Sequence, residues 1–511
     1  MGTNRQIAKN ISYNLVSFGL TLVINFFFTP YLIRTVGKEA YGFVPLVNSL
    51  IGYASIITAA IGSMAGRFIT MSYYQDDKEG ACAYFNSVFI ANTFLSILFS
   101  IVGLVFVFFI DSVLNVPSYL LVDVQWLFFF ALTGMVISLS TSIFGIGTYT
   151  KNRIDISSFW SMITEFIRVG LILLLFWILK PTIVFMSLSA LLASVVSIFV
   201  NFHYKRVLIP EIKFSPRKYY SFSKVRELVS SGIWNSVNML SNIMTVHVDL
   251  LITNIFINAA TVGDYSIAKT IPGVLSHASG VISTTFTPHF NILYAKGQIR
   301  ELVHEVKKSM IIIGFMTSIP VGFMLIDADH FMNLWIGNAF NDTILHLSFL
   351  SVLPMAINNT APIFGVFTIT NKRKVPAFVL LVVGILNIAI VFVLLKTTSL
   401  GVYAIAITGG GLLTLRNVFF TAPYGSHCLG INKREFIPSI LRGFLAIVVV
   451  VAVSIVIRVI MVVDSWPLFF LEFCMVAIVS SLINFYVILN SENREYLVGV
   501  LKSKLHLQEH L

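Results

Sequence analysis

Charge is scarce in this sequence. Of its 511 residues only 11% are Asp, Glu, Lys or Arg, and 57% are hydrophobic. Soluble domains carry about a quarter charged residues, so a soluble globular chain is excluded, and the apolar runs reach membrane-spanning length. Cysteine is scarcer still. Cys82, Cys428 and Cys474 have no motif spacing, which indicates neither a disulfide framework nor a metal site. A cleavable signal peptide is not expected, because a polar start with Arg5 and Lys9 leads straight into a full span with no small-residue cleavage site. Neither a Walker loop nor an HExxH helix is found. The reading is therefore of a non-enzyme without a cofactor, driven by a gradient or by downstream consumption of its product.

What is present is a succession of long apolar segments. Fourteen are expected, at roughly 14–33, 42–64, 87–110, 122–148, 157–179, 182–202, 232–256, 262–289, 309–326, 343–370, 376–396, 401–422, 443–463 and 467–489. Each is long enough, or nearly so, to cross a hydrocarbon layer of about 30 Å as a helix. An even count puts both termini on one side, and the positive-inside rule chooses the cytosol. Of the 34 Lys and Arg, 26 then fall on inner segments. The outer turns hold Arg34, Lys38, Lys180 and Lys396, and Arg168, Lys269, Arg416 and Arg458 lie within spans. The net charge of +11 is accordingly a topology signal and a contact with anionic lipid, not a nucleic-acid footprint. The basic stretch 203–228 is expected to lie as an amphipathic linker on the inner leaflet, and Leu497, Leu501 and Leu505 suggest a second interfacial helix in the tail.

The chain repeats itself. Arg34 to Gly42, with Gly37 and Tyr41, follows span 1, and Thr261-Val262-Gly263-Asp264-Tyr265 follows span 7. The expected plan is an all-α polytopic membrane protein of 14 transmembrane helices: two pseudo-symmetric six-helix bundles plus two C-terminal helices. The boundaries are an N-terminal lobe over 1–202, a basic cytoplasmic linker over 203–230, a C-terminal lobe over 231–425, and two extra helices with a cytoplasmic tail over 426–511. Internal repeats flanking a central site are a transporter signature. Pro30, Pro45, Pro272, Pro288, Pro320, Pro354 and Pro362 are candidate kinks, and Gly62-Ser63-Met64-Ala65-Gly66 is a candidate close-packing face.

Ionisable groups inside spans are the candidate functional residues, because such groups face a partner or a wet cavity rather than lipid. Asp249 lies about seven residues before the expected outer end of span 7 at 256 and Lys269 about seven after the start of span 8 at 262, each roughly 10 Å below the outer surface. Lys269 is a candidate cation for an anionic head group; a structural pair with Asp249, or snorkelling, is the plainer alternative. Asp249, His247 and Glu165 are candidate coupling-ion sites. Glu165 and Arg168, three apart on one face, form either a self-satisfied pair or a cavity wall. Arg34 guards an exit or anchors the interface, and Asn25 and Asn242 could hydrogen-bond sugars or neighbouring helices. Arg416 is expected to snorkel to the inner surface. Arg458 and Glu472, at similar depths on spans 13 and 14, are expected to pair and lock the two extra helices together.

Three stretches carry a resemblance to a known family. These are Pro30-Tyr31-Leu32-Ile33-Arg34-Thr35-Val36-Gly37 with Tyr41-Gly42, Gly62 to Arg67, and Asp249-Leu250-Leu251-Ile252 followed by Val262-Gly263-Asp264-Tyr265. With them, almost the whole chain resembles the polysaccharide transporter family, the O-antigen-type flippases of the multidrug/oligosaccharidyl-lipid/polysaccharide exporter superfamily. The resemblance implies two six-helix bundles around a central cavity. It further implies transfer of an undecaprenyl-diphosphate-linked oligosaccharide, an O-antigen or other surface polysaccharide repeat unit, from the inner to the outer leaflet of the bacterial cytoplasmic (inner) membrane. The implied partners are that substrate, membrane lipids and the polysaccharide polymerase machinery. In related lipid II flippases a basic residue just after the span 8 tyrosine lines the cavity. The stretch Tyr265 to Lys269 with Pro272-Gly273 resembles that segment, although the residue here is Lys and stands one position later. The alternative within the superfamily is a cation-coupled multidrug exporter, usually of twelve spans. A membrane polymerase or ligase would need a large outer loop, and none is expected.

Overall fold

Hydrocarbon offers no water to satisfy peptide groups, so spanning segments close their own hydrogen bonds as helices. The computed structural model describes residues 3–489 and 494, and no strand occurs among them. The first long helices are α1 (Thr3–Val36), α2 (Lys38–Tyr74), α3 (Lys78–Phe108), α4 (Leu121–Thr141), α5 (Ile154–Ile178), α6 (Val184–Leu208), α7 (Phe222–Asn242), α8 (Val248–Phe256) and α9 (Ala259–Ala268). The chain continues as α10 (Thr270–Ala295), α11 (Ile299–Ile336), α12 (Asp342–Val352), α13 (Ile363–Ile369), α14 (Lys374–Thr397), α15 (Val402–Arg416), α16 (Ala422–Cys428), α17 (Ile437–Ile460) and α18 (Trp466–Val487). All fourteen expected segments fall on helices. Ten helices are long and apolar enough to cross a membrane, or up to thirteen if each of three bent pairs is one span. The segment 262–289 is not among them. It is interrupted at Lys269 between α9 and α10 and is rich in Ser, Thr and His. The expected tail helix at Leu497, Leu501 and Leu505 lies outside the described residues.

Contacts divide the chain after Gly263 into two compact units. The repeat in the sequence opens a second lobe at 231, whereas by contact α7 and α8 group with the first unit. The reason is close backbone packing. Gly232 of α7 lies directly against the Ala60 carbonyl of α2, where a Cβ would have no room. Gly42 stands against Gly263, with a Cβ on Gly42 only 2.6 Å from the Gly263 nitrogen, so the two repeated glycine stretches meet backbone on backbone, and 261–265 lies within helix α9 rather than in a turn. The expected face at Gly62 and Gly66 is corrected at Gly62, where nothing among the described residues lies within 4 Å of a Cβ, while a Cβ on Gly66 would stand 3.0 Å from the Tyr149 ring.

In the first unit α2 packs on α3, α3 on α4, α4 on α6, α6 on α5 and α5 on α1. The turn after α3 is fastened to the end of α8. The Asn115 amide N–H donates to Asn254 Oδ1 at 2.9 Å, and its side chain donates to the Ile255 carbonyl at 3.0 Å. The basic linker is not a free amphipathic helix. Buried Asn86 of α3 donates to the Lys213 carbonyl at 2.9 Å and accepts from the Ser215 amide at 2.9 Å, and Ser87 accepts from the Ser221 amide at 2.9 Å. Polar side chains on α3 thus satisfy backbone groups that an irregular segment leaves open.

The second unit is built around α11, which is 67% buried over its apolar window, against 11–33% for the other unbroken spans. The two C-terminal helices α17 and α18 both pack on it. Gly314 allows the approach, since a Cβ there would stand 3.0 Å from the Gly443 Cα. The bends do not simply follow proline. In α2 the 63° bend lies between Ala54 and Ile56, well past Pro45. In α11 the backbone leaves helical geometry at Asp327, past Pro320. Pro354 and Pro362 do flank the 49° break before α13.

Replacing Gly232 by Ala is expected to destabilise the protein by about 1–3 kcal/mol through overpacking, while Gly62→Ala leaves it unchanged. Thermal unfolding of the two purified variants in detergent checks the contrast.

Candidate functional site

The first unit contains a cavity of about 530 Å³ walled by α2, α4, α5 and α6. Its polar lining includes Asn48, Thr58, Ser138, Ser187, Ser194 and Arg168. A second chamber of about 270 Å³ shares Ser138, Ser194 and Arg168 with it and adds Glu165, Thr164 and Asn201. A third, of about 320 Å³, shares Val47, Ile51, Ala54 and Met135 with the first but is otherwise almost wholly apolar, with Phe99, Phe106 and Phe128 in its wall. A small polar-lined chamber, a larger and mainly apolar cavity with a few polar side chains, and a greasy space therefore lie in sequence within one helical unit.

Arg168 sits where the small polar-lined chamber joins the larger cavity. Glu165 and Arg168 are one turn apart on α5, which brings them to one face. Arg168 Nε donates to Glu165 Oε2 at 3.0 Å and its Nη2 donates to Glu165 Oε1. Both side chains remain partly accessible, at 27% and 21%. The two readings offered by the sequence thus coexist: the pair is satisfied, and it lines a cavity. A bidentate guanidinium–carboxylate pair holds its planar geometry and leaves guanidinium N–H groups for an incoming anion.

The other candidates occupy varied surroundings. Arg34 is exposed in the last turn of α1, and Asn25 is exposed earlier on that helix. Asn242 is exposed at the end of α7. A π-helical turn, Ile243–His247, follows it and ends on exposed His247. Asp249 comes next, 4% exposed, in the first turn of α8. This π turn lies at the 41° bend of the span, and π turns inside helices occur frequently at functional sites. Lys269 is half-buried at the start of α10, with its ammonium 5.1 Å from the centre of the Tyr265 ring. A second π turn, Asn417–Thr421, begins next to Arg416. Arg416 has partners beside it: its Nη2 donates to Asn417 Oδ1 at 2.6 Å and its guanidinium lies 5.3 Å from the Phe364 ring centre.

The expected Arg458–Glu472 pair is also corrected. Arg458 of α17 turns to α11, donating to Asp329 Oδ1 at 2.8 Å and to the Ile326 carbonyl, with Asp327 Oδ1 at 3.4 Å. The bend at Asp327 accounts for this, since a carbonyl released from the helical ladder needs a donor. Glu472 faces His330 instead, with Oε2 3.8 Å from Nδ1. Sequence reasoning missed Asp327, Asp329 and His330 because it ended span 9 at 326 and left them in an outer turn. The clustered Asp-Ala-Asp-His at 327–330 was the available signal.

Comparison with known proteins supplies the family. Residues 7–291 match the polysaccharide biosynthesis protein family. The chain is 31% identical over 459 residues to the uncharacterized membrane protein EpsK of Bacillus subtilis (strain 168), covering 90% of each. Among solved structures, the lipid II flippase MurJ in an inward closed conformation aligns with a TM-score of 0.63 at 14% identity, covering 92% of this chain and 96% of that one. An outward-facing multidrug resistance MATE family transporter of the MOP superfamily aligns with a TM-score of 0.61 at 14% identity, covering 83% and 96%. At that identity the two structures speak for the fold alone. The chain belongs to the polysaccharide biosynthesis protein family, and its fold is that of the lipid II flippase and of the MOP-superfamily transporter to which it is similar.

Proposed function

We propose that this protein is a flippase that moves an undecaprenyl-diphosphate-linked oligosaccharide from the cytoplasmic to the outer leaflet by alternating access. The observation that carries the reading is the small polar-lined chamber around Arg168 and Glu165, which shares Arg168 with a larger, mainly apolar cavity within the first unit. A lipid-linked sugar has both characters, and a site for it needs hydrogen-bonding groups and a cation for the head beside greasy walls for the tail. Membership of the polysaccharide biosynthesis protein family and the fold shared with a lipid II flippase support it.

In this reading Arg168 meets the diphosphate or the first sugar, and Asn48, Ser138 and Ser194 contribute hydrogen bonds. Lys269 is a second cation for the head group. Arg34, Asn25 and Asn242 are further contacts along the route. Asp249, His247 and Glu165 are the groups on which a coupling proton or sodium ion would act; a carboxylate in a membrane span is costly to keep charged and thus responds to an ion. The lobes at 1–202 and 231–425 are the moving halves, with both termini in the cytosol of a bacterial inner membrane, and polymerase machinery takes the product.

Deleting the gene and analysing membrane lipids tests the class: one lipid-linked glycan should accumulate on the cytosolic face, and an unchanged lipid profile would remove the proposal. For Lys269→Ala, surface polymer is expected to be lost while membrane abundance is kept; normal polymer would take Lys269 out of the mechanism.

Arg168→Ala should lower surface polysaccharide at least tenfold and also reduce protein abundance, because it strands Glu165; breaking a buried pair costs about 3–5 kcal/mol and this half-accessible one less. The double variant Glu165→Gln with Arg168→Ala separates the two effects. Abundance should recover and export should not. Recovery of both would assign the pair to structure alone.

A further inference from the structure

The second unit contains a buried ionic cluster that the transport reading does not use. Asp327 stands at the bend of α11 and His330 follows three residues later on the same face. Glu472 enters from α18, close to the turn that joins it to α17. One ligand-type atom from each of Asp327, His330 and Glu472 lies within 4.8 Å of the others. His330 Nδ1 is 3.8 Å from Glu472 Oε2 and 4.0 Å from Asp327 Oδ1.

What points to a ligand is the condition of the carboxylates. Asp327 and Glu472 are both 0% exposed. Neither oxygen of Glu472 accepts a hydrogen bond from any described group, and the same holds for Asp327 Oδ2 and His330 Nδ1. Three residues that each carry a buried polar atom without a partner among the described groups thus meet within 4.8 Å. A carboxylate sealed from water and left unpaired is strongly disfavoured. The nearby guanidinium relieves Asp327 only through a long contact to Oδ1 and makes no hydrogen bond to Glu472. Arg458 spends both terminal nitrogens on Asp329 and donates to the Ile326 carbonyl, with Asp327 Oδ1 at 3.4 Å. Asp329 and Arg458 cancel in charge, so the ionised forms of Asp327 and Glu472 would leave two negative charges beside the imidazole.

We propose that Asp327, His330 and Glu472 bind a single divalent cation of the zinc or manganese class, which ties α18 to α11. Two carboxylates and one divalent ion balance in charge. The donor set decides among ions: an imidazole nitrogen beside carboxylate oxygens suits zinc or manganese, whereas calcium and magnesium favour oxygen alone. Donor atoms around a tetrahedral zinc, bonded at about 2.0–2.2 Å, stand roughly 3.3 Å apart. The separations of 3.8 and 4.0 Å close to that value by small side-chain rotations. Access exists, since the side chains of His330 and Arg458 are 23% and 33% exposed. The bend at Asp327 gains a purpose here: it turns a carboxylate of α11 inward toward α18.

The test uses full-length, untagged protein in detergent, stripped with a chelator. Titration with zinc chloride and manganese chloride by calorimetry, with elemental analysis after dialysis, is expected to give one tight equivalent per chain and a raised melting temperature. Glu472→Gln and Asp327→Asn should each weaken binding at least tenfold, and the exposed control Glu79→Gln should not. X-ray absorption at the zinc edge of the wild type should show nitrogen and oxygen donors with an imidazole. No retained metal in the wild type, binding unchanged in both variants, or a sulfur donor would each overturn the proposal. The wild-type measurements decide the matter even if the variants fail to fold.

Discussion

An ionic group inside a membrane protein has to be answered locally. Water screens and solvates a surface charge, but within a helical bundle the nearest dipole or counter-ion does that work, and its absence is felt in full. Much of the local architecture follows from that constraint. Arg168 answers Glu165 across one turn of α5, and the chamber they line stays polar because serine and asparagine side chains surround them. Arg416 takes the amide oxygen of Asn417 and the face of Phe364. Arg458 takes Asp329 and a carbonyl freed by a bend. The same constraint makes the trio of Asp327, His330 and Glu472 stand out, because there the answer is incomplete.

Packing supplies the second theme. In lipid, apolar side chains gain little by meeting one another, so helices associate where small residues let backbones approach. Gly232 on Ala60, Gly42 on Gly263 and Gly314 near Gly443 are such places, and each decides which helices are neighbours. The first draws α7 onto α2 and the last seats α17 on α11. Polar fastening acts beside it. Asn86 holds the basic linker and Asn115 holds the end of α8 through backbone hydrogen bonds. These contacts place the polar and apolar chambers of the first unit between helices that are themselves firmly positioned.

Legibility in the sequence was uneven for physical reasons. The helical, multi-spanning plan was open to view, because hydrophobic length and the distribution of lysine and arginine are properties of the chain itself. Glu165 and Arg168 were recognisable as a facing pair, since three residues along a helix return to the same side. The partners of Arg458 were not, because Asp329 is 129 residues away and the bend that offers the Ile326 carbonyl leaves no proline at its site. The glycine face at 62–66 was readable as a motif, whereas the crossing at Gly232 rests on a single glycine that no local pattern marks.

The sequence by itself determined that this is a membrane protein of many helices, which connections carry the basic charge, and which few residues would be costly to leave in hydrocarbon. Hydropathy and charge are additive along a chain, so they can be read without knowing the neighbours. Only the tertiary structure decided that Arg168 opens onto two chambers, that α7 and α8 group with the first unit, and that residues 142 and 145 positions apart, Glu472 with His330 and Asp327, converge on one point. Those facts depend on which helix faces meet, and that is set by backbone approach and by bends whose direction no single segment encodes.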